Sequence, residues 1–221
     1  MFVGAWFLIL WNQGDLVYYI LPRFNALVVG TAIFLLVGGF LLLLFGRNWH
    51  EIKYHLDPKS FFSFFLLFCL VLIFPPQPLS SHSVSKRGVE INLSNIKLTT
   101  PVEFQIDSTK RTFADWVNII GTSKNVRQYV DESVAAKGFV YRDDDLLEDE
   151  FYLARFLLRC CSADARPVVL RVKSPLSSEF ENDQWIDLKG AFALDKNPKQ
   201  PLYIRLESYE KIPVPKIPYI Y

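Results

Sequence analysis

The sequence is short of cysteine and histidine, with three of each, and its formal net charge is only +1. Each shortage closes a class of function. So little excess charge gives no global electrostatic case for nucleic acid as a partner. Beyond residue 76 there is one histidine, His82, so no Ser-His-Asp or Cys-His constellation can be assembled there. A phosphate-binding glycine loop is also missing. The expectation is a protein that is not an enzyme. The cysteines Cys69, Cys160 and Cys161 have no CxxC spacing, which removes the usual closed zinc motifs.

What the chain has in abundance is apolar residues, 51% of the total with 19 Phe, and they crowd into the first third. Ala26 to Phe45, "ALVVGTAIFLLVGGFLLLLF", is an uncharged run of about 20 residues, enough at about 1.5 Å per residue to cross a hydrocarbon core roughly 30 Å thick. A shorter run, "FFSFFLLFCLVLIF", is bounded by Ser60 and by Pro75 and Pro76 and has no polar face. The first residues, "FVGAWFLILW" and "LVYYIL", are apolar on either side of "NQGD". They read as a spanning helix with an imperfect middle, or alternatively as a cleaved signal peptide, though no basic residue precedes them. Three spans are therefore expected, at about 2–21, 26–45 and 60–76, making 1–76 a transmembrane region in contact with the lipid bilayer.

The loop after the second span carries Arg47, Lys53 and Lys59, whereas the one before it has Arg23. The positive-inside rule puts the more basic loop in the cytoplasm and everything after residue 76 outside it. His50 and His55 in that loop lack the i, i+4 spacing of a helical metal pair and read as interfacial residues beside Trp49 and Tyr54.

Residues 77–100 read as a linker and first extended segment, since "PPQPLSSHSVSKRG" is rich in Pro and Ser without periodicity. Residues 101–221 read as one β domain. "TFADWVNIIG" places Phe113, Trp116, Val117 and Ile120 at helical spacing, with Thr112 as cap and Gly121 as stop. "NVRQYVDESVAA" continues as a helical or irregular segment. Then the period changes to two in "AKGFVYR", "FYLARFLLRCC", "PVVLRVK", "WIDLKGAFAL" and "LYIRLESYEKI". Parity in the second run sets Tyr152, Ala154, Phe156, Leu158 and Cys160 inward and Cys161 outward. It likewise sets Val168, Leu170, Val172, Ile186, Leu188 and Phe192 inward. The fold class expected is membrane-anchored α+β: about three transmembrane helices, a short helix, and a small OB-like five-stranded β-barrel outside the cytoplasm.

The stretch "GFVYRDDDLLEDEFYLARFLLRCCSADARPVVLRV", then "WIDLKGAF" and "IPVPKIPYIY", resembles the YcgQ-like proteins. "VYYILPRF" and "PPQPLSSHSVSKRG" extend the likeness toward the front of the chain. That family comprises small bacterial membrane proteins regarded as permease subunits and encoded beside a multi-spanning permease. The resemblance implies a bacterial inner-membrane protein whose partner is such a permease.

Three readings of "LRCCSAD" stay open. In one, Cys160 is a small core hydrophobe and Cys161 ends its strand. In another, Cys160, Cys161 and Asp164 hold a zinc-like ion, with a partner chain completing the coordination. In the third, the thiols are redox-active, Arg155 and Arg159 favouring the thiolate of Cys161. A stand-alone envelope protein that binds a metal or senses redox state is thus the alternative to a permease subunit. Cys69 reads as a residue within a span. Arg155, Arg159, Arg171, Lys173 and Arg205 make a basic side that Asp187 and Glu207 share by parity. A salt-bridge lattice or a protein-docking surface explains it better than nucleic-acid binding. "DDDLLEDE" lacks the spacing and central Gly of a calcium loop and reads as a solvated connection. The proline-rich ending "KIPVPKIPYIY" runs extended, either on its own barrel or on a partner.

Overall fold

The computed structural model describes residues 2–45, 73–89, 111–123, 125–196 and 201–221, with positions 62, 65, 66 and 69 between them. The chain divides into two compact units, residues 1–78 with 160–162, and residues 79–159 with 163–221.

The first unit begins with helix α1, Phe2–Gln13. It stops because Gly14 takes the left-handed conformation, φ 84°, which a side chain would resist. A 3-10 turn, Asp15–Tyr18, follows, and Pro22 opens a second, Pro22–Phe24, that feeds helix α2, Asn25–Phe45. Small residues bring α1 and α2 together: a Cβ added at Gly4 would lie 2.6 Å from the Ala32 carbonyl oxygen. Leu10 and Ala32 are buried, while Leu27, Phe34, Leu42 and Phe45 stay exposed. The same unit includes residues 160–162, where Leu21 N–H donates to the Cys160 carbonyl and Ser162 N–H to the Tyr19 carbonyl.

The expectation of three spans is corrected here. Among the described residues one helix, Pro22–Leu42, is long and apolar enough to cross a membrane. The expected span 2–21 fails because "NQGD" does not merely interrupt the helix but ends it, leaving 12 residues. Most of 60–76, with His50 and His55, lies outside the described residues.

The second unit is a closed five-stranded barrel in the order β1-β2-β3-β5-β4, made of β1 Ser133–Tyr141, β2 Glu150–Leu157, β3 Arg166–Lys173, β4 Trp185–Leu194 and β5 Leu202–Lys211. β4 pairs back on β1, and all neighbours are antiparallel except β3 and β5, joined in parallel at Val172–Ile204 and Lys173–Arg205. Closure removes the exposed edges that an open sheet would carry. β4 shifts register between Lys189 and Gly190, and a Cβ at Gly190 would collide with the Arg205 carbonyl.

Val168, Leu170, Val172, Ile186, Leu188 and Phe192 fill the core, as parity requires. On β2 parity is reversed: Phe151, Leu153 and Leu157 join the core, while Tyr152, Ala154 and Phe156 are buried outside it. The reason is a second cover. The chain beyond β5 returns along the barrel, with Ile220 N–H donating to the Phe156 carbonyl and Leu158 N–H to the Ile220 carbonyl. Tyr219 meets Phe156 edge-on at 6.4 Å, and Phe156 stacks on Phe139 at 5.8 Å. Arg155 fastens this tail by donating to the carbonyls of Ile217, Pro218 and Tyr219. The last part of the proline-rich ending, Ile217 to Ile220, therefore packs on its own barrel, while Val214 stays exposed.

Two α-helices among the described residues pack on the barrel. Helix α3, Ser81–Arg87, replaces the irregular linker expected there, with Val84 fully buried and Ser81 bonded to the Asp183 carboxylate through its backbone N–H and its hydroxyl. Helix α4, Phe113–Thr122, starts at Thr112, which forms a reciprocal capping box with Asp115, and runs past the expected stop at Gly121. Its Phe113, Trp116, Val117 and Ile119 enter the core, Trp116 meeting Phe192 edge-on at 4.8 Å.

Candidate functional site

β2 ends at Leu157, so the expectation that Cys160 points into the barrel does not hold. Once Leu158 has bonded to Ile220 the chain bends at Arg159 and Cys160 and enters a 3-10 turn, Ser162–Asp164. Cys160 is exposed and Cys161 half-buried, and both carry thiols rather than a disulfide. In a straight strand, neighbours face opposite ways. The bend removes that constraint, and one ligand atom from each of Cys160, Cys161 and Asp164 lies within 4.8 Å of the others. The three come from five consecutive residues, so their spacing is a property of this one connection. Arg159 N–H donates to Asp164 Oδ1 at 3.1 Å, which orients the carboxylate. Beside Asp164, an open cavity of about 660 Å³ is lined by Arg87, Arg159, Arg166 and Pro167, with Arg87 donating to the Ala165 carbonyl.

A second constellation escaped the sequence reading. Arg171, placed on the outer basic side by parity, is buried with Glu150, their side chains 2% and 3% exposed. Arg171 contacts Glu150 at 3.4 Å and Asp195 at 3.3 Å, and Lys173 contacts the same two carboxylates at 2.8 and 2.6 Å. Tyr203 offers its ring to both cations, at 5.6 and 5.0 Å. Glu150 is therefore the first residue of β2 and one arm of an ion cluster, not part of a solvated connection. Burial pushes the Lys173 ammonium down, but the bonds to Asp195 and Glu150 and their charges outweigh it, so its pKa is raised. Asp195 is held below its ordinary value by the Lys173 hydrogen bond and the Lys196 N–H.

The rest of the expected basic side is divided. Arg155 is used on the tail, and burial lowers its pKa to about 10. Asp187 pairs with Lys137 at 2.9 Å, an exposed contact of little energetic weight. The lattice exists, but its acidic members are Glu150 and Asp195 rather than Asp187 and Glu207 among the described pairs. No sequence signal marks them, because Glu150 and Asp195 are 21 and 24 residues from Arg171.

A long apolar helix and a closed barrel with a thiol-bearing connection define the class: a small β-barrel protein carrying an apolar N-terminal segment. The chain belongs to the YcgQ-like family, since residues 85–221 match the model described as the DUF1980 C-terminal domain. It is 23% identical over 99 residues to the UPF0703 protein YcgQ of Bacillus subtilis (strain 168), a match that covers 42% of this chain and 34% of that protein. The chain thus spans about a third of the length of that relative. Among solved structures, it is similar to asparaginyl-tRNA synthetase from Pyrococcus horikoshii complexed with asparaginyl-adenylate. That match has 14% identity over 41% of this chain and 23% of the other, with a TM-score of 0.26. A likeness that low bears on neither fold nor activity.

Proposed function

We propose that this protein is an accessory subunit of a bacterial inner-membrane permease. It docks through apolar helices in the lipid bilayer and carries its barrel on the extracytoplasmic side. The observation that carries the reading is the surface of α2. Exposed Leu27, Phe34, Leu42 and Phe45 leave it no face for water, and its run has no charged group that could form a conduction path of its own. Such a helix is at home in lipid or against other apolar helices. Family membership supports the same reading. The strand order, with β5 between β3 and β4, suits an OB-type barrel, and we read that barrel as a docking module.

The test is co-dependence. Deleting a permease gene of the kind the family resemblance implies beside this one should lower the amount of the chain in the membrane fraction, and the two should copurify in mild detergent. Unchanged abundance and location after the deletion would sink the proposal.

A further inference from the structure

The geometry points to an open, exchangeable site for a zinc-like, thiophilic divalent metal ion, with Cys160 Sγ, Cys161 Sγ and one Asp164 carboxylate oxygen as its ligands. This is independent of the permease reading, because it concerns the chain by itself.

The argument starts with distances. Zinc–thiolate bonds near 2.3 Å and zinc–carboxylate bonds near 2.0–2.2 Å put tetrahedral ligand atoms about 3.5–3.8 Å apart. The three ligand atoms already lie within 4.8 Å of one another, so closure needs movements of about 1 Å or less. Exposed Cys160 has room for that by side-chain rotation alone. The Asp164 carboxylate is oriented by the Arg159 N–H on Oδ1, and an oxygen with a further lone pair remains to meet the metal. A ligand carboxylate held by an outer hydrogen bond is the usual arrangement around bound metals.

Charge and softness select the ion. Two thiolates and a carboxylate carry three negative charges, one more than a divalent ion neutralises. The arginines around the adjoining cavity, Arg87, Arg159 and Arg166, answer the remainder. Calcium and magnesium are rejected because each asks for around six or more oxygens and the cluster offers one carboxylate. Thiolate donors favour zinc and its soft neighbours.

The number of ligands then sets the behaviour. Three protein donors leave a tetrahedral ion one position short, and no fourth donor joins the cluster among the described residues. Closed sites with four protein ligands are structural, whereas sites with three admit water or an incoming ligand. An ion held this way on an exposed connection can be passed on through the vacant position.

The experiment uses the full chain in detergent, reduced, metal-stripped and dialysed against Zn²⁺ with excess Mg²⁺ and Ca²⁺ present. The expected result is about one zinc per wild-type chain and about none in Cys160→Ser or Cys161→Ser, with Asp164→Asn weakened about 10- to 100-fold. Cys69→Ser should retain its zinc. Substituting Cd²⁺ should give a thiolate charge-transfer band in the wild type that either Cys160→Ser or Cys161→Ser abolishes, a readout that does not depend on yield. Wild-type chain that holds no zinc, zinc that survives in both cysteine variants, or zinc lost in Cys69→Ser would each overturn the assignment. Because no permease is present in the sample, failure here leaves the accessory-subunit reading standing, and the reverse holds for the deletion test.

Discussion

Arg171 shows how much one residue can depend on neighbours far along the chain. Its guanidinium is buried, its Nε has no hydrogen-bond partner, and its charge is balanced by Glu150 and Asp195. Removing it by Arg171→Ala leaves Glu150 buried with Lys173 as its remaining cation, so the cost falls below the roughly 3–5 kcal/mol of a buried charge left with no partner. Thermal unfolding followed by tryptophan fluorescence should show a loss of stability, and an unchanged transition would mean that the cluster is solvated. The pH dependence has a definite sign. Asp195 is depressed in the folded state, so its contribution is present above the ordinary carboxylate pKa, about 3.9, and is lost as pH falls through the depressed value. Lys173 is raised, so its contribution is present below about 10.4 and fades as pH climbs past the folded value. Asp195→Asn should therefore lower the neutral plateau of a stability–pH curve and flatten its acid limb, with little change at the lowest pH. Tyr141 offers a spectroscopic check, its pKa raised to about 12 by burial first and then by donation to Asp143. Ultraviolet titration should find a tyrosine that ionises near pH 12, and Asp143→Asn should bring it only part of the way back, because burial is the larger cause.

At the scale of elements, the fold's tightest demands are glycine positions. Gly190 sits at the β4 irregularity against the Arg205 carbonyl, and its neighbour Leu188 is fully buried, so the strands cannot part to admit a side chain. Gly190→Val should destabilise the barrel by roughly 1–3 kcal/mol as an overpacked site, and Thr112→Ala by about 1 kcal/mol through loss of the α4 cap. Denaturant unfolding of both variants checks the order, and a Gly190→Val chain as stable as wild type would mean that the close approach is absent. Elements with a clean period were readable in advance: α2 from its uncharged run, α4 from Thr112 and its four apolar residues, and the five strands from alternation. Those lacking a period were not. Helix α3 has seven residues and one buried side chain, Val84, too little to show against the Ser-rich background. β2 is apolar on both faces because a segment about 60 residues downstream covers one of them, so alternation misassigned its parity and with it Cys160. For the candidate site, the residue types were legible and their arrangement was not, since the bend after Leu158 depends on a bond to Ile220.

For the whole molecule, the accessory-subunit proposal implies a definite sidedness. In a chain with its native cysteines changed to serine, Lys216→Cys should react with a membrane-impermeant maleimide in intact spheroplasts. Reaction only after lysis would put the barrel in the cytoplasm. Much of the barrel's outer apolar surface, around Phe139, Phe156 and Trp185, depends on the returning tail and on the single cation, Arg155, that grips its carbonyls. This has a bearing on synthesis at the ribosome. β2 is made early, yet its rim hydrogen bond at Leu158 and the cover over Phe156 come from residues 219 and 220. While the intervening strands emerge, that strand must wait with apolar side chains exposed on both sides. A nascent chain can finish this barrel only after residue 220 has emerged, which makes the interval between the emergence of β2 and of residue 220 the time when aggregation and chaperone binding compete with folding.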